Sequence, residues 1–309
     1  MPRPDRSDVP RVVFAGSGTP LKKVLDAVTR LPGIEFTKVY TDVERHPEIA
    51  EKARRSGAAV YEIERMRDPR ELERLRAEPY DWLFSVNSTL ILSKDVLATA
   101  RRGALNMHPG RLPDYAGLHT HQWAIRNDER RFAATLHWME ANVDTGPIAY
   151  VQEVEISPRD TGLSLFMKCL DAGTEVTVRA LTEISRGQDP PRTPQDLSRR
   201  RLYRHRDALD GRIRWNAGAR SVHNFVRAAS YGPFRSPTYE PETSFRGRTL
   251  LVRKTELSEE PGGASGTIVE IASDGILVSC GDGRCVKVLS VALPEARVSL
   301  AEAVSELLH

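Results

Sequence analysis

The sequence predicts a two-domain α/β protein in which a parallel sheet flanked by helices is followed by a small β-barrel. In the N-terminal part, short apolar runs alternate with amphipathic helical patterns, and this alternation is typical of parallel sheets. In the C-terminal part, short strand patterns are separated by turns rich in Gly and Asp, as in small barrels. A chain of 309 residues is long enough for two domains of ordinary size.

The N-terminal elements follow from apolar periodicity. An apolar run at 11–15 ends in the turn Gly16-Ser17-Gly18, and the next apolar residues recur on one helical face. Charged segments with helical spacing then alternate with further apolar runs. The predicted strands are 11–15, 34–40, 58–61, 82–86, 104–107, 132–139 and 148–154, and the predicted helices are 21–28, 47–56, 69–77, 120–127 and 161–186.

A polar segment that contains several prolines separates the two predicted domains, a composition typical of linkers. Beyond it we predict a helix at 217–229 and strands at 249–254, 266–272, 275–279 and 285–290, with hairpin turns at Ser273-Asp274-Gly275 and Gly281-Asp282-Gly283. The predicted organisation is a disordered lead at 1–10, a first domain at 11–187, a linker at 188–201 and a second domain at 202–309.

Composition narrows the class of protein. The chain is 40% hydrophobic and 28% charged, as in soluble globular proteins, and its formal net charge is +3. This weak positive charge permits an anionic substrate but does not by itself indicate nucleic acid. Three cysteines without a C-x-x-C pair argue against a disulfide framework and against a thiolate zinc site. Without an apolar leader or a membrane-length apolar run, we expect a cytoplasmic protein.

Two short motifs carry the candidate chemistry. Asn106-Met107-His108-Pro109 ends a predicted strand, where alternation places Asn106 and His108 on the same side of the chain. Val143-Asp144-Thr145-Gly146-Pro147 forms a turn between two predicted strands. An amide, an imidazole and a carboxylate together suit transfer of an acyl group to an amine, which needs an oxyanion donor and a proton shuttle.

The glycine turn after the first strand is a second candidate. Gly16, Ser17 and Gly18 lie between a strand and a helix, where backbone amides favour an anion such as a substrate phosphate or carboxylate. The pattern lacks the third glycine of a dinucleotide fingerprint. A simple tight turn at the sheet edge is the alternative interpretation.

The two motifs belong to a larger pattern that resembles the folate-dependent formyltransferase family. Further matching segments are Leu112-Pro113-x-Tyr115-x-Gly117, Trp123-Ala124-Ile125, Thr135-Leu136-His137, Ile213-x-Trp215 and Asn224-x-Val226-Arg227-Ala228. The resemblance implies a Rossmann-like formyltransferase domain followed by an OB-like β-barrel domain. It implies transfer of a formyl group from N10-formyltetrahydrofolate to a primary amine, with Asn106 and His108 stabilising the oxyanion and Asp144 holding His108.

The resemblance also implies where the substrates bind. The residues expected to contact the folate are Phe84, Ser85, Leu90, Ile91, Met139 and Val143. The residues expected to contact the acceptor are Gly16, Ser17, Gly18, Tyr115, His119, His121 and His137. A rival interpretation of His108, His119, His121, His137 and Asp144 is a zinc site of a hydrolase. We expect no metal.

For the acceptor, the sequence favours a small molecule over tRNA. The loop after the second strand is short. Within the family that this sequence resembles, the enzymes that formylate methionyl-tRNA usually have Arg at the position of Ala116. His137 is typical of the family members that formylate aminosugars. We therefore expect an aminosugar nucleotide or an amino-acid-derived biosynthetic intermediate, with methionyl-tRNA as the alternative acceptor. Remoter alternatives are hydrolysis of the formyl donor and a non-catalytic nucleic-acid-binding protein. We expect no membrane partner, and a homodimer is compatible with the sequence.

Overall fold

The computed structural model describes residues 9–207, 210–245 and 247–293. Most of the predicted lead, residues 1–8, and the end of the predicted second domain, residues 294–309, lie outside them. The chain divides into two compact units. Unit 1 contains 9–117, 132–154 and 167–202, and unit 2 contains 118–131, 155–166 and 203–293. The domain boundaries drawn from the sequence remain a prediction.

The elements follow one another much as the periodicity predicts. The strands are β1 Arg11–Gly16, β2 Glu35–Thr41, β3 Ala59–Glu62, β4 Tyr80–Val86, β5 Ala100–His108, β6 Ala116–Gly117, β7 Arg131–Trp138, β8 Ile148–Glu155, β9 Leu202–Tyr203, β10 Glu242–Phe245, β11 Arg248–Pro261, β12 Ile268–Ala272, β13 Gly275–Ser279 and β14 Arg284–Ala292. The helices are α1 Gly18–Val28, α2 Pro47–Arg55, α3 Pro69–Ala77, α4 Lys94–Leu97, α5 Thr120–Arg126, α6 Gly162–Ser185 and α7 Ala219–Ala228.

Unit 1 is built on a seven-stranded sheet in the order β3-β2-β1-β4-β5-β7-β8. The pairs from β3 to β5 are parallel, which confirms the predicted sheet, but β7 runs antiparallel to β5. β1 and β4 are central strands whose side chains are almost all buried, which explains their continuous apolar sequence. α1 buries its apolar face through residues that include Leu21 and Leu25.

Unit 2 contains a five-stranded sheet in the order β10-β11-β14-β13-β12, in which every neighbouring pair is antiparallel. The predicted turns join β12 to β13 and β13 to β14. β10 was not predicted, because its four residues Glu-Thr-Ser-Phe lack an apolar alternation. The apolar face of α7, including Val222 and Val226, packs with residues of this sheet in one core. Within the described residues, no helix combines the length and apolarity that crossing a membrane requires.

Candidate functional site

Four polar side chains share one face of the sheet where β5 meets β7. The register places Asn106 opposite His137 and His108 opposite Thr135. Because side chains alternate along a strand, each of these strands presents its two polar residues on the same side. Their neighbours in β7 are buried apolar residues, so the polar patch is confined to this point of the sheet.

The Asp144 carboxylate is the centre of the cluster. Its Oδ2 accepts a hydrogen bond from the Gly117 amide at 2.8 Å and lies 3.6 Å from His108 Nδ1. Its Oδ1 lies 3.3 Å from His137 Nε2. Burial by itself raises the pKa of Asp144, but His108, His137 and the Gly117 amide hold that pKa well below its usual range. The carboxylate is therefore ionised at neutral pH.

His108 is almost fully buried, and its two ring nitrogens have different surroundings. Nε2 lies 2.7 Å from the carbonyl oxygen of Tyr115. A carbonyl can only accept, so Nε2 carries a hydrogen and donates it. Nδ1 faces Asp144 across 3.6 Å, which is longer than a direct hydrogen bond. This geometry leaves Nδ1 available to a third polar group.

His137 connects the other two candidate side chains. Its Nδ1 donates to the carbonyl oxygen of Trp138 at 2.8 Å, so Nε2 of the neutral ring is an acceptor. Nε2 lies 3.2 Å from Asn106 Nδ2, which can donate to it, and 3.3 Å from the Asp144 carboxylate. The neutral ring thus orients the Asn106 amide, whereas a protonated ring pairs with Asp144. His137 is buried among these groups, and its expected contact with the acceptor stays a prediction.

The turn that carries Asp144 has an unusual backbone. Asp144 has φ of +55°, in the left-handed region that residues other than glycine rarely occupy. A Cβ atom on Gly146 would lie 2.0 Å from the carbonyl oxygen of Trp138, so only glycine fits there. The Asp-Thr-Gly motif therefore records two backbone constraints as well as one carboxylate.

Residues 193–201, which we call the strap, lie within the predicted linker and contact both loops of the site. Thr193 exchanges two backbone hydrogen bonds with Ile148, at 2.8 and 2.9 Å. Gln195 Nε2 donates to the carbonyl oxygens of Asp144 and Gly146, and Arg200 Nη2 donates to that of Val143. Arg199 pairs with Asp114 at 2.8 Å, and the Ala116 amide donates to the Arg201 carbonyl at 3.0 Å. The strap thus holds the loop after β5 and the turn of Asp144 together.

The polar groups of Ser17 in the glycine turn bond the end of β4 and the residue after it. Ser17 N donates to the carbonyl oxygen of Val86 at 3.2 Å, and Ser17 Oγ donates to that of Asn87 at 3.1 Å. A Cβ atom on Gly16 would lie 1.9 Å from the Val86 oxygen. Both donors of Ser17 are engaged and Gly16 serves close backbone approach, so these contacts fit a tight turn better than the anion site expected at 16–18.

Three other residues expected to contact the acceptor differ in exposure. The Tyr115 side chain is buried edge-on against Phe132 at 5.1 Å, and its carbonyl contacts His108. His121, in unit 2, is buried against Phe166 at 4.7 Å and hydrogen-bonds Tyr231. Both side chains are buried in these packing contacts, and their expected contact with the acceptor stays a prediction. His119 is half-buried with φ of +55°, and burial and the nearby His205 lower its pKa.

The residues expected to contact folate form three pairs. Phe84 is fully buried against Phe14 and Ser85 is also buried, so their side chains belong to the interior of the sheet, and their contact with folate stays a prediction. Leu90 and half-buried Met139 belong to one apolar cluster. Ile91 and Val143 are 73% and 39% exposed, which is unusual for large apolar side chains. These two are available to a flat heteroaromatic ring.

Three groups that shape the cluster were given no role from the sequence. They are the Gly117 amide, Thr135 and Gln195. Thr135 Oγ1 donates to the carbonyl oxygen of Gly110 at 2.7 Å and so anchors the loop after β5. Its alternation with His137 in an apolar strand is a signal that could have revealed it, whereas nothing local distinguishes Gln195 from other linker residues. Over the described parts of the chain, no group of three His, Cys, Asp or Glu side chains has the arrangement of a metal site.

Comparison with known proteins gives matches over most of the chain. Residues 11–181 match the family model described as formyl transferase, and residues 207–304 match its C-terminal domain. A methionyl-tRNA formyltransferase of Anaeromyxobacter sp. (strain K) is 33% identical over 252 residues, covering 81% of this chain and 78% of that protein.

Solved structures share the fold at lower identity. An N-formyltransferase from Helicobacter canadensis, in complex with folinic acid and dTDP-3-aminofucose, superposes with a TM-score of 0.70 at 18% identity and covers 91% of this chain and 99% of that one. WlaRD, a sugar 3N-formyltransferase, gives a TM-score of 0.71 at 17% identity with coverage of 91% and 97%.

Proposed function

Because this chain belongs to the formyl transferase family, we propose that it moves a formyl group from N10-formyltetrahydrofolate to the primary amine of a small molecule. The acceptor class is an aminosugar nucleotide or an amino-acid-derived biosynthetic intermediate. The observation that carries the proposal is the cluster in which His108 and His137 flank the Asp144 carboxylate, at 3.6 and 3.3 Å, and His137 contacts the Asn106 amide at 3.2 Å.

The cluster suits the proton transfers of the reaction. The folate supplies an activated formyl group, and Ile91 and Val143 offer apolar contacts to its ring. The second N–H of the Asn106 amide is directed by His137 and donates to the formyl oxygen as negative charge develops there. The amine must lose a proton when its nitrogen bonds the formyl carbon, and the departing nitrogen must gain one. His108 Nδ1 can accept the proton that the amine loses and return it to the departing nitrogen, and the ionised Asp144 carboxylate 3.6 Å away stabilises the imidazolium that forms in between.

Support for a small acceptor comes from His137 and Ala116, which are typical of the sugar enzymes. The strap also carries Arg201, whose side chain is exposed and whose backbone carbonyl accepts a hydrogen bond from the Ala116 amide at 3.0 Å. An exposed guanidinium favours an acceptor that bears a phosphate. Methionyl-tRNA is the second candidate, because the sequence identity to a methionyl-tRNA enzyme exceeds that to the solved sugar enzymes.

The test is an acceptor panel with the purified protein and N10-formyltetrahydrofolate. The panel contains dTDP- and UDP-linked aminosugars, ornithine and lysine derivatives, and methionyl-tRNA, and it is read by tetrahydrofolate release and by the mass of the formylated product. We expect turnover with one small amine and its loss in His108→Ala. Turnover with methionyl-tRNA alone would support the second candidate, and amine-independent release would indicate hydrolysis of the donor.

A further inference from the structure

We propose that Gln195 is a positioning residue that holds the Asp144 carboxylate in its working orientation, an inference that rests on the proposed function. Gln195 belongs to the strap, outside both motifs that carry the chemistry. Its amide nitrogen donates to the carbonyl oxygen of Asp144 at 3.1 Å and to that of Gly146 at 2.6 Å. One side chain thereby fixes the backbone on both sides of Thr145.

The turn contains one backbone conformation that such a restraint would stabilise. Asp144 adopts a left-handed φ of +55°, a conformation that is disfavoured for a residue with a Cβ atom. A small rotation there would swing the carboxylate away from His108, His137 and the Gly117 amide. Misplacement of a reacting group by about 1 Å can cost about 100-fold in rate.

Gln195 makes these two bonds with its amide nitrogen, while its buried amide oxygen has no hydrogen-bond partner among the described residues. Both partners are carbonyl oxygens, so the amide nitrogen must face them and the amide cannot flip. The bonds to the Asp144 and Gly146 carbonyl oxygens therefore fix the orientation of the Gln195 amide.

Arg200 provides a second grip on the same turn. Its Nη2 donates to the carbonyl oxygen of Val143 at 2.7 Å, while its Nε is buried without a hydrogen-bond partner among the residues described. The strap therefore holds the backbone immediately before Asp144 as well as after it. Gln195 and Arg200 thus both hold the turn through hydrogen bonds to its backbone carbonyl oxygens, which indicates a shared positioning role.

The test uses Gln195→Met, which keeps the length of the side chain and removes both donors. We expect kcat for formyl transfer to fall at least about tenfold, while KM for donor and acceptor changes less than about threefold. The imidazole NMR resonances of His108 and His137 should move, whereas those of His223 should not. Gln188→Met is the matched control, because Gln188 is exposed on the same segment.

Arg200→Met is the second variant and should show the same kcat effect if Gln195→Met does not fold. Wild-type kcat and unmoved His108 and His137 resonances in a folded Gln195→Met protein would overturn the inference, as would an equal loss in Gln188→Met. If the wild-type protein transfers no formyl group, the proposed function fails, and the NMR resonances alone then decide whether Gln195 positions the turn.

Discussion

Buried and half-buried histidines occur in both units, but their neighbours differ. In unit 1, His108 and His137 both face the ionised Asp144 carboxylate. In unit 2, His121 hydrogen-bonds the hydroxyl of Tyr231, and His223 Nδ1 lies 3.0 Å from that of Thr255. A nearby carboxylate stabilises an imidazolium, whereas burial and two nearby arginines lower the pKa of His223 to about 4 and keep that ring neutral at pH 7. Burial of a histidine is therefore a poor sign of catalysis unless a carboxylate accompanies it.

The largest effect on kcat should come from removing the Asp144 carboxylate, His108 or Asn106. We expect Asn106→Ala, His108→Ala and Asp144→Ala each to lower kcat at least about 100-fold, the scale of losing one oxyanion donor. Initial rates of formyl transfer measure this, with His223→Gln as a control that keeps wild-type kcat. Near-normal turnover in folded His108→Ala would break the comparison, because a carboxylate-facing histidine would then be dispensable.

A smaller effect should follow from His137→Met. The substitution removes the Nε2 acceptor that orients the Asn106 amide and replaces the imidazole with an apolar side chain of similar size. Loss of one such hydrogen bond corresponds to about a tenfold fall in kcat. The Asn106→Ala, His137→Met double variant sharpens the result: if His137 acts through Asn106, the double variant should be no slower than Asn106→Ala. Fully multiplicative effects would contradict this coupling.

His121→Phe should affect stability without affecting kcat. The phenyl ring can keep the contact with Phe166, but the Tyr231 hydroxyl loses the partner ring nitrogen. We expect the free energy of unfolding to fall by about 1–3 kcal/mol, the range for disrupting a buried hydrogen bond. Urea unfolding and kcat of the folded protein measure the two quantities. A large fall in kcat at unchanged stability would support His121 as an acceptor contact.

The smallest effect concerns pH. Burial, together with Arg227 and Arg220, lowers the pKa of His223 to about 4. In the unfolded chain a histidine has a pKa of about 6.5, so it binds a proton at a pH where folded His223 stays neutral. Proton binding then favours the unfolded state, and the free energy of unfolding decreases as pH falls from about 6.5 towards 4. Wild-type protein should therefore lose more stability between pH 7 and pH 5 than His223→Gln does. Equal losses in urea midpoint would contradict the assignment.

Local patterns predicted most of the secondary structure. The apolar runs of β1 and β4 and the amphipathic face of α1 lie where periodicity places them, because each pattern reflects burial of one segment. The antiparallel β7 was not predicted, since strand direction depends on the path of the chain between strands. The turn Gly16-Ser17-Gly18 shows a related limit of sequence-based prediction. The sequence identifies hydrogen-bond donors in this turn, but only the structure shows that both donors of Ser17 bond the carbonyl oxygens of Val86 and Asn87.

The sequence by itself determined the kinds of elements, their order and the residue types of the candidate site, because periodicity and short motifs are local properties of the chain. The tertiary structure decided which of those residues meet. The Asp144 carboxylate contacts the Gly117 amide and His137. Its backbone carbonyl bonds Gln195, which is 51 residues away in the sequence. Such contacts depend on how distant segments pack. The same packing buries the side chains of Phe84, Tyr115 and His121 and makes a predicted linker part of the site.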